Sequence, residues 1–124
     1  MKALIIVDLQ NDFLPGGALE VPNGDQIIDT VNALQSRYDL VIATQDWHPS
    51  NHKSFAAQHP DHNIFDRIDL NGLDQVLWPN HCVQGTRGSQ LASTLHQECI
   101  EAIFRKGIDP TIDSYSGFYD NGRR

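Results

Sequence analysis

Four consecutive aliphatic residues, Leu4-Ile5-Ile6-Val7, run directly into Asp8 and Leu9. An apolar run without polar alternation, closed by a carboxylate, predicts a parallel strand buried on both faces. Leu40-Val41-Ile42-Ala43 repeats the pattern and ends in Thr44-Gln45-Asp46, and a third run, Ile100 to Phe104, ends at Lys106-Gly107. Between the first two, Ile27, Ile28, Val31 and Leu34 recur at helical spacing, with Asp25 near the start. Leu91 and Leu95 predict a second, short helix ahead of the third strand. The order strand, helix, strand, long loop, helix, strand implies an α/β fold: a parallel sheet with flanking helices and right-handed crossovers. In such a sheet the first strand is expected to be central. With three strands it leaves one edge open, so the chain reads as half a fold.

The connecting segments are turn-rich. Leu14-Pro15-Gly16-Gly17 through Pro22-Asn23-Gly24 is a loop, and everything after Gly107 is turn chemistry. The stretch from Trp47 to Leu77 is polar and histidine-rich, and a loop of that length tends to be functional. The length of 124 residues suits one domain. Nine basic against sixteen acidic residues, a net charge of -7, argue against a phosphate-tracking nucleic-acid surface. The N-terminal apolar run is too short for a signal peptide or a membrane span, so a cytoplasmic protein without a membrane partner is expected. Cys82 and Cys99 form no disulfide framework and are expected to be reduced thiols.

All three strands end in a polar residue, Asp8, Asp46 and Lys106, and ligand sites in open α/β sheets lie outside the carboxyl ends of the strands. Asp46 and His48, with His81 arriving after the long loop, offer two imidazoles and a carboxylate. That donor set suits zinc, iron(II) or manganese, and a surface Asp-x-His with an unrelated loop histidine is the alternative. His52, His59 and His62 are further candidates, His52 the best of them, and His96 is expected on the surface. Asp8 either caps the following turn or acts as a general base. Lys106 either pairs with Asp8 and favours a nearby thiolate, or lies along the end of its strand. Phe13 and Trp78 suit a flat ring ligand, or pack against their own loops. Cys82 has no evident base beside it, and Cys99 reads as a small buried hydrophobe.

Five segments in order resemble the nicotinamidase/pyrazinamidase branch of the isochorismatase-like hydrolases. They are Leu4 through Phe13, Gln45-Asp46-Trp47-His48-Pro49, Trp78 through Thr86, Phe104-Arg105-Lys106-Gly107, and Ser114-Tyr115-Ser116-Gly117-Phe118. The resemblance covers essentially the whole chain and implies a Rossmann-like three-layer fold, of which residues 1–124 are the N-terminal part. It implies an amidase of NAD salvage that converts nicotinamide, and pyrazinamide, to the acid and ammonia through a cysteine thioester. On the matching positions, Asp8 becomes the general base and Lys106 the cation that pairs with it. Asp46, His48 and His81 become ligands of one divalent metal, zinc foremost with iron or manganese as alternatives. Phe13 and Trp78 flank the substrate ring.

In the family the nucleophilic cysteine follows a fourth strand, in an Ala-Thr-Asp/Glu-Phe/Tyr-Cys-Val type of segment that has no counterpart in these residues. The expectation is therefore a chain inactive alone and complemented by a second polypeptide carrying that segment, with a homo-oligomer left open. Two alternatives stand beside it: a catalytically inactive metal-binding or interaction fragment, and a hydrolase whose metal-bound water acts without a cysteine.

Overall fold

The computed structural model describes residues 1–124. In chain order the elements are β1 (Ala3–Val7), α1 (Ile28–Gln35), β2 (Leu40–Asp46), β3 (Arg67–Leu70), β4 (Leu73–Val76) and β5 (Ala102–Lys106). β1, β2 and β5 form a parallel sheet in that order, with Val7 opposite Thr44 and Thr44 opposite Phe104. The architecture is thus the expected α/β one, and β1 pairs with β2 alone, which leaves its other edge open as expected for these three strands.

One face of the sheet is packed. Ile6, Val41 and Ala43 meet Ile28 of α1 and Leu9, Leu91, Ala92 and Leu95 in a buried cluster, with Leu4, Val31 and Ile100 against it. The opposite face is open: Val7 is 64% and Phe104 54% exposed, and Ile5 is exposed beside them. The expectation of a strand buried on both faces is corrected accordingly. α1 and the Leu91–Leu95 segment both lie on the Ile6 side, so the apolar residues of the other side meet no layer.

α1 starts at Ile28, after a 3-10 turn at Gly24–Ile27 that has Asp25 in its first turn, where a carboxylate suits the exposed N–H groups. The helix expected around Leu91 and Leu95 does not form. Its backbone is engaged elsewhere: Leu91 bridges Gln10, the Ala92 amide donates to Leu9 O, and Asn32 and Gln35 of α1 bond Thr94 O and His96 O. Leu91 and Leu95 are buried as the apolar spacing requires, yet it is the helix α1 beside them that fixes their chain path.

The long polar segment also holds structure that its composition hid. β3 and β4 make an antiparallel hairpin with Arg67 opposite Val76 and Leu70 opposite Leu73. The two-residue turn is Asn71-Gly72, both at positive φ (56° and 84°), the pairing that matches the twist of a hairpin. Arg67 Nε donates to Asp74 Oδ1 at 3.1 Å across it. No helix is long and apolar enough to cross a membrane.

Candidate functional site

The carboxyl ends of the three parallel strands deliver Asp8, Asp46 and Lys106 to one point. Lys106 Nζ lies 2.8 Å from Asp8 Oδ2 and also bonds Asp46 Oδ1. Asp8 sits just past β1 at φ 49°, a left-handed conformation that Asp tolerates better than most residues. There its amide and one carboxylate oxygen both meet Thr44, whose Oγ1 donates to Asp8 Oδ1 at 2.7 Å. The ammonium therefore sits between two carboxylates, with a third contact to Ser114 O at 3.1 Å. Burial by itself would lower the Lys106 pKa; the charges of Asp46 and Asp8 outweigh it and hold the amine above its ordinary value.

His48 and His81 approach the other oxygen of Asp46. Their Nε2 atoms stand 3.6 and 3.9 Å from Asp46 Oδ2. Each imidazole is tied down through Nδ1, His48 to Gly107 O and His81 to Pro79 O, both at 2.8 Å. A carbonyl only accepts, so both Nδ1 atoms carry the proton, and when the rings are neutral both Nε2 lone pairs face the carboxylate. Two neutral imidazoles and one carboxylate, each oriented by a second hydrogen bond, are the donor set of a borderline divalent cation. All three ligand atoms lie within 4.8 Å of one another and all three residues are buried. Burial depresses the pKa of His81, which favours its neutral form. For His48 burial acts the same way, but the Asp46 carboxylate outweighs it and raises the value. In the metal-free chain its Nε2 therefore takes up a proton toward Asp46 more readily, one that a bound cation would displace.

A second cluster, His48, His52 and Asp113, is equally compact. The Ser54 amide donates to His52 Nδ1 at 3.2 Å, so the His52 proton resides on Nε2. Nε2 is then a donor with no lone pair for a metal, and it is buried without a partner. His52 thus belongs to the packing behind His48, with ring centroids 4.5 Å apart. His62 and His96 are exposed and His59 is half-buried.

A cavity of about 220 Å³ opens over these groups, with Asp8, Asp46, His81 and Lys106 in its wall. Phe13 stands 5.7 Å from His81 and Trp78 6.3 Å from Tyr115, ring centroid to ring centroid. Of the residues singled out from the sequence, Asp8, Phe13, Asp46, Trp78, His81 and Lys106 line this cavity, and His48 packs against His81 with ring centroids 4.9 Å apart, whereas His52, His59, His62, His96 and both cysteines lie outside its wall. Leu19, Asp113, Ser114 and Tyr115 also line it and were assigned no role. Asp113 is held by Ser114 N at 2.8 Å and by Gln75 Nε2 at 3.1 Å, and Gln75 also bonds Tyr115 Oη. Tyr115 was marked by its place in the Ser114-to-Phe118 segment, without a role attached; nothing local marked Asp113. No cysteine lines the cavity. Cys82 is fully buried, and burial together with the charge of Asp46 pushes its thiol well up, away from the thiolate. Cys99 is exposed, where a buried residue was expected.

Gly107 makes the close approach to His48 workable. It has φ 64°, and a Cβ there would lie 2.6 Å from His48 Nδ1. Gly107→Ala is expected to destabilise by more than the roughly 1–3 kcal/mol of backbone strain alone. Gly72→Ala, at φ 84° with nothing within 4 Å, should show the backbone cost only. Denaturant titration of both variants checks this, and equal losses would mean that the His48 ring yields freely.

The Isochorismatase domain family model matches residues 2–121. The nicotinamidase of Escherichia coli is 55% identical over 127 residues, covering 99% of this chain and 59% of that protein. The solved structure of the Acinetobacter baumanii nicotinamidase/pyrazinamidase superposes with a TM-score of 0.94 at 47% identity, covering 98% of this chain and 58% of that one. A pyrazinamidase of Pyrococcus horikoshii, solved in complex with zinc, superposes with a TM-score of 0.69 at 41% identity, over 94% of this chain and 57% of that one. The chain thus spans just under three fifths of the length of these relatives.

Proposed function

From the premise that the chain belongs to the isochorismatase family, we propose that it forms the metal-bearing part of a nicotinamidase that also accepts pyrazinamide. One observation carries this reading: an ammonium shared by Asp8 and Asp46 stands beside two imidazole Nε2 lone pairs, at a cavity walled by aromatic rings. The relatives named nicotinamidase and pyrazinamidase supply the substrate class.

In this reading Asp46, His48 and His81 hold one divalent ion, which supplies a Lewis-acidic anchor for a ring nitrogen of the substrate. Zinc is favoured by the donor set and by the zinc-bound relative, and iron and manganese suit the same ligands. Phe13 and Trp78 flank the ring. Asp8 takes the proton of a cysteine thiol and Lys106 stabilises the resulting charge near it. The thiolate adds to the carboxamide carbon, and Asp8 returns the proton to the departing ammonia. Water then cleaves the thioester, releasing the acid and regenerating the thiol. Neither Cys82 nor Cys99 can be that thiol, so a segment equivalent to the remaining two fifths of the relatives is proposed to bring it. A cytoplasmic setting, with reduced thiols, suits this chemistry.

The metal assignment is tested by elemental analysis. His48→Ala and His81→Ala should each weaken binding by at least the roughly 10–100-fold expected for loss of a group that merely orients a ligand. Full metal retention in both variants would remove these residues from the site.

A further inference from the structure

Asp46 and His81 arrive on separate segments, yet each is held by a side chain from one short stretch, Gln10 to Asp12. Gln10 is fully buried. Its Nε2 donates to Asp46 O and to Ser89 O, both at 2.8 Å, and its Oε1 accepts from Asp46 N at 2.8 Å. The side-chain amide thus pairs with both main-chain groups of Asp46, as a neighbouring strand would, although β1 has already ended at Val7.

Two residues on, Asp12 Oδ2 accepts from the Cys82 amide at 2.7 Å, and Asp12 Oδ1 accepts from the Ala18 amide at 3.2 Å. Cys82 sits at φ 46°, a costly conformation for a non-glycine residue, immediately after His81. The bond to Asp12 anchors that turn and, with the contact from His81 Nδ1 to Pro79 O, sets where His81 Nε2 points. Gly88 packs so tightly on the Asp12 carboxylate that a Cβ at that position would overlap it, so the acceptor has no room to shift. Neither Gln10 nor Asp12 lines the cavity.

We infer that Gln10 and Asp12 are positioning residues for the metal-ligand set, Gln10 fixing the strand end that carries Asp46 and Asp12 fixing the turn that carries His81. The inference rests on the metal-site reading above. It assigns the effect of Asp12 to the place of its acceptor oxygen rather than to its charge.

Two variants of the full chain separate place from charge. Asp12→Asn keeps one acceptor oxygen for the Cys82 amide, gives up the longer, exposed bond from the Ala18 amide and loses the charge; Asp12→Glu keeps the charge and displaces both oxygens by a methylene. Zinc affinity by competition with a chromophoric chelator should stay near the parent value in Asp12→Asn and fall about 10–100-fold in Asp12→Glu. Gln10→Glu, which can no longer donate to Asp46 O, should fall by a similar factor. The second readout needs no metal. Ring-nitrogen NMR of the metal-free chain should show His81 protonated on Nδ1 in the parent and in Asp12→Asn, and a tautomer mixture in Asp12→Glu. Should the parent bind no zinc, the metal reading fails while the tautomer comparison still decides the role of Asp12. The inference is overturned if Asp12→Glu matches the parent in tautomer and affinity, or if Asp12→Asn is as impaired as Asp12→Glu. Parent-like affinity in Gln10→Glu overturns its Gln10 half.

Discussion

Lys106→Met is expected to destabilise the metal-free chain by about 3–5 kcal/mol near neutral pH, the cost of stripping one partner from a buried ion pair. The site makes the upper end reasonable, because the one ammonium serves two carboxylates and their side chains are only 17% (Asp8) and 9% (Asp46) exposed. The pH dependence distinguishes this from simple loss of packing. In the parent, burial alone would raise the Asp46 carboxyl, but the His48 hydrogen bond and the Lys106 charge hold it below its ordinary value. A depressed folded pKa stabilises above the unfolded value of about 3.9, and that contribution disappears as pH falls through the lower folded value. The raised Lys106 value contributes fully below about 10.4 and is lost as pH rises through the higher folded value. The contribution of the Asp46 and Lys106 ionisations in the parent is therefore flat from about pH 5 to 9. The raised His48 and lowered His81 values add their own dependence near pH ~6.5, which comparison with the variant separates. In Lys106→Met the two carboxylates keep their charge only at a cost, and one of them takes up a proton on acidification. The stability gap between parent and variant should accordingly narrow from about pH 7 to pH 5. Denaturant titrations at both pH values measure it, and a constant gap would show that Lys106 acts through its hydrocarbon stem instead.

How much of this site was legible in the sequence depended on the range of the signal. Asp8, Asp46 and Lys106 each close an apolar run, so the rule that places ligands at carboxyl ends brought three distant positions together before any coordinates. His48 followed from its distance to Asp46, and His81 from the motif around it. What failed depended on partners that no local pattern encodes. Leu91 and Leu95 have helical spacing, but Asn32 and Gln35 take the carbonyls of Thr94 and His96 and hold the segment in turns against the core. β1 looked buried on both faces because every residue in it is apolar, whereas burial is set by where α1 packs. The β3–β4 hairpin had a local signal, Asn71-Gly72, lost within a stretch read for its histidines. Asp113 became visible only through Gln75, 38 positions away.

The 124-residue chain by itself is expected to release no ammonia from nicotinamide. Its cavity holds a carboxylate, Asp8, and a cation, Lys106, but no thiol. Cys82 is fully buried, its amide is engaged by Asp12, and both burial and the nearby carboxylates oppose its ionisation. Cys99 is exposed and absent from the cavity wall. The same sheet leaves an unpaired β1 edge and a face bearing Ile5, Val7 and Phe104, so the isolated chain should tend to aggregate. Supplying in trans a polypeptide equivalent to the remaining two fifths of the relatives should raise solubility and restore hydrolysis together, because one docking event covers the face and delivers the thiol. In that complemented enzyme, Asp8→Asn should cost about 10²–10⁴-fold in turnover, the usual worth of a general base, while nicotinamide still binds. Ammonia release by the purified chain, its homogeneity confirmed by intact mass, is the decisive assay. Turnover that survives Cys82→Ala and Cys99→Ala would sink the thioester route and leave metal-activated water as the nucleophile.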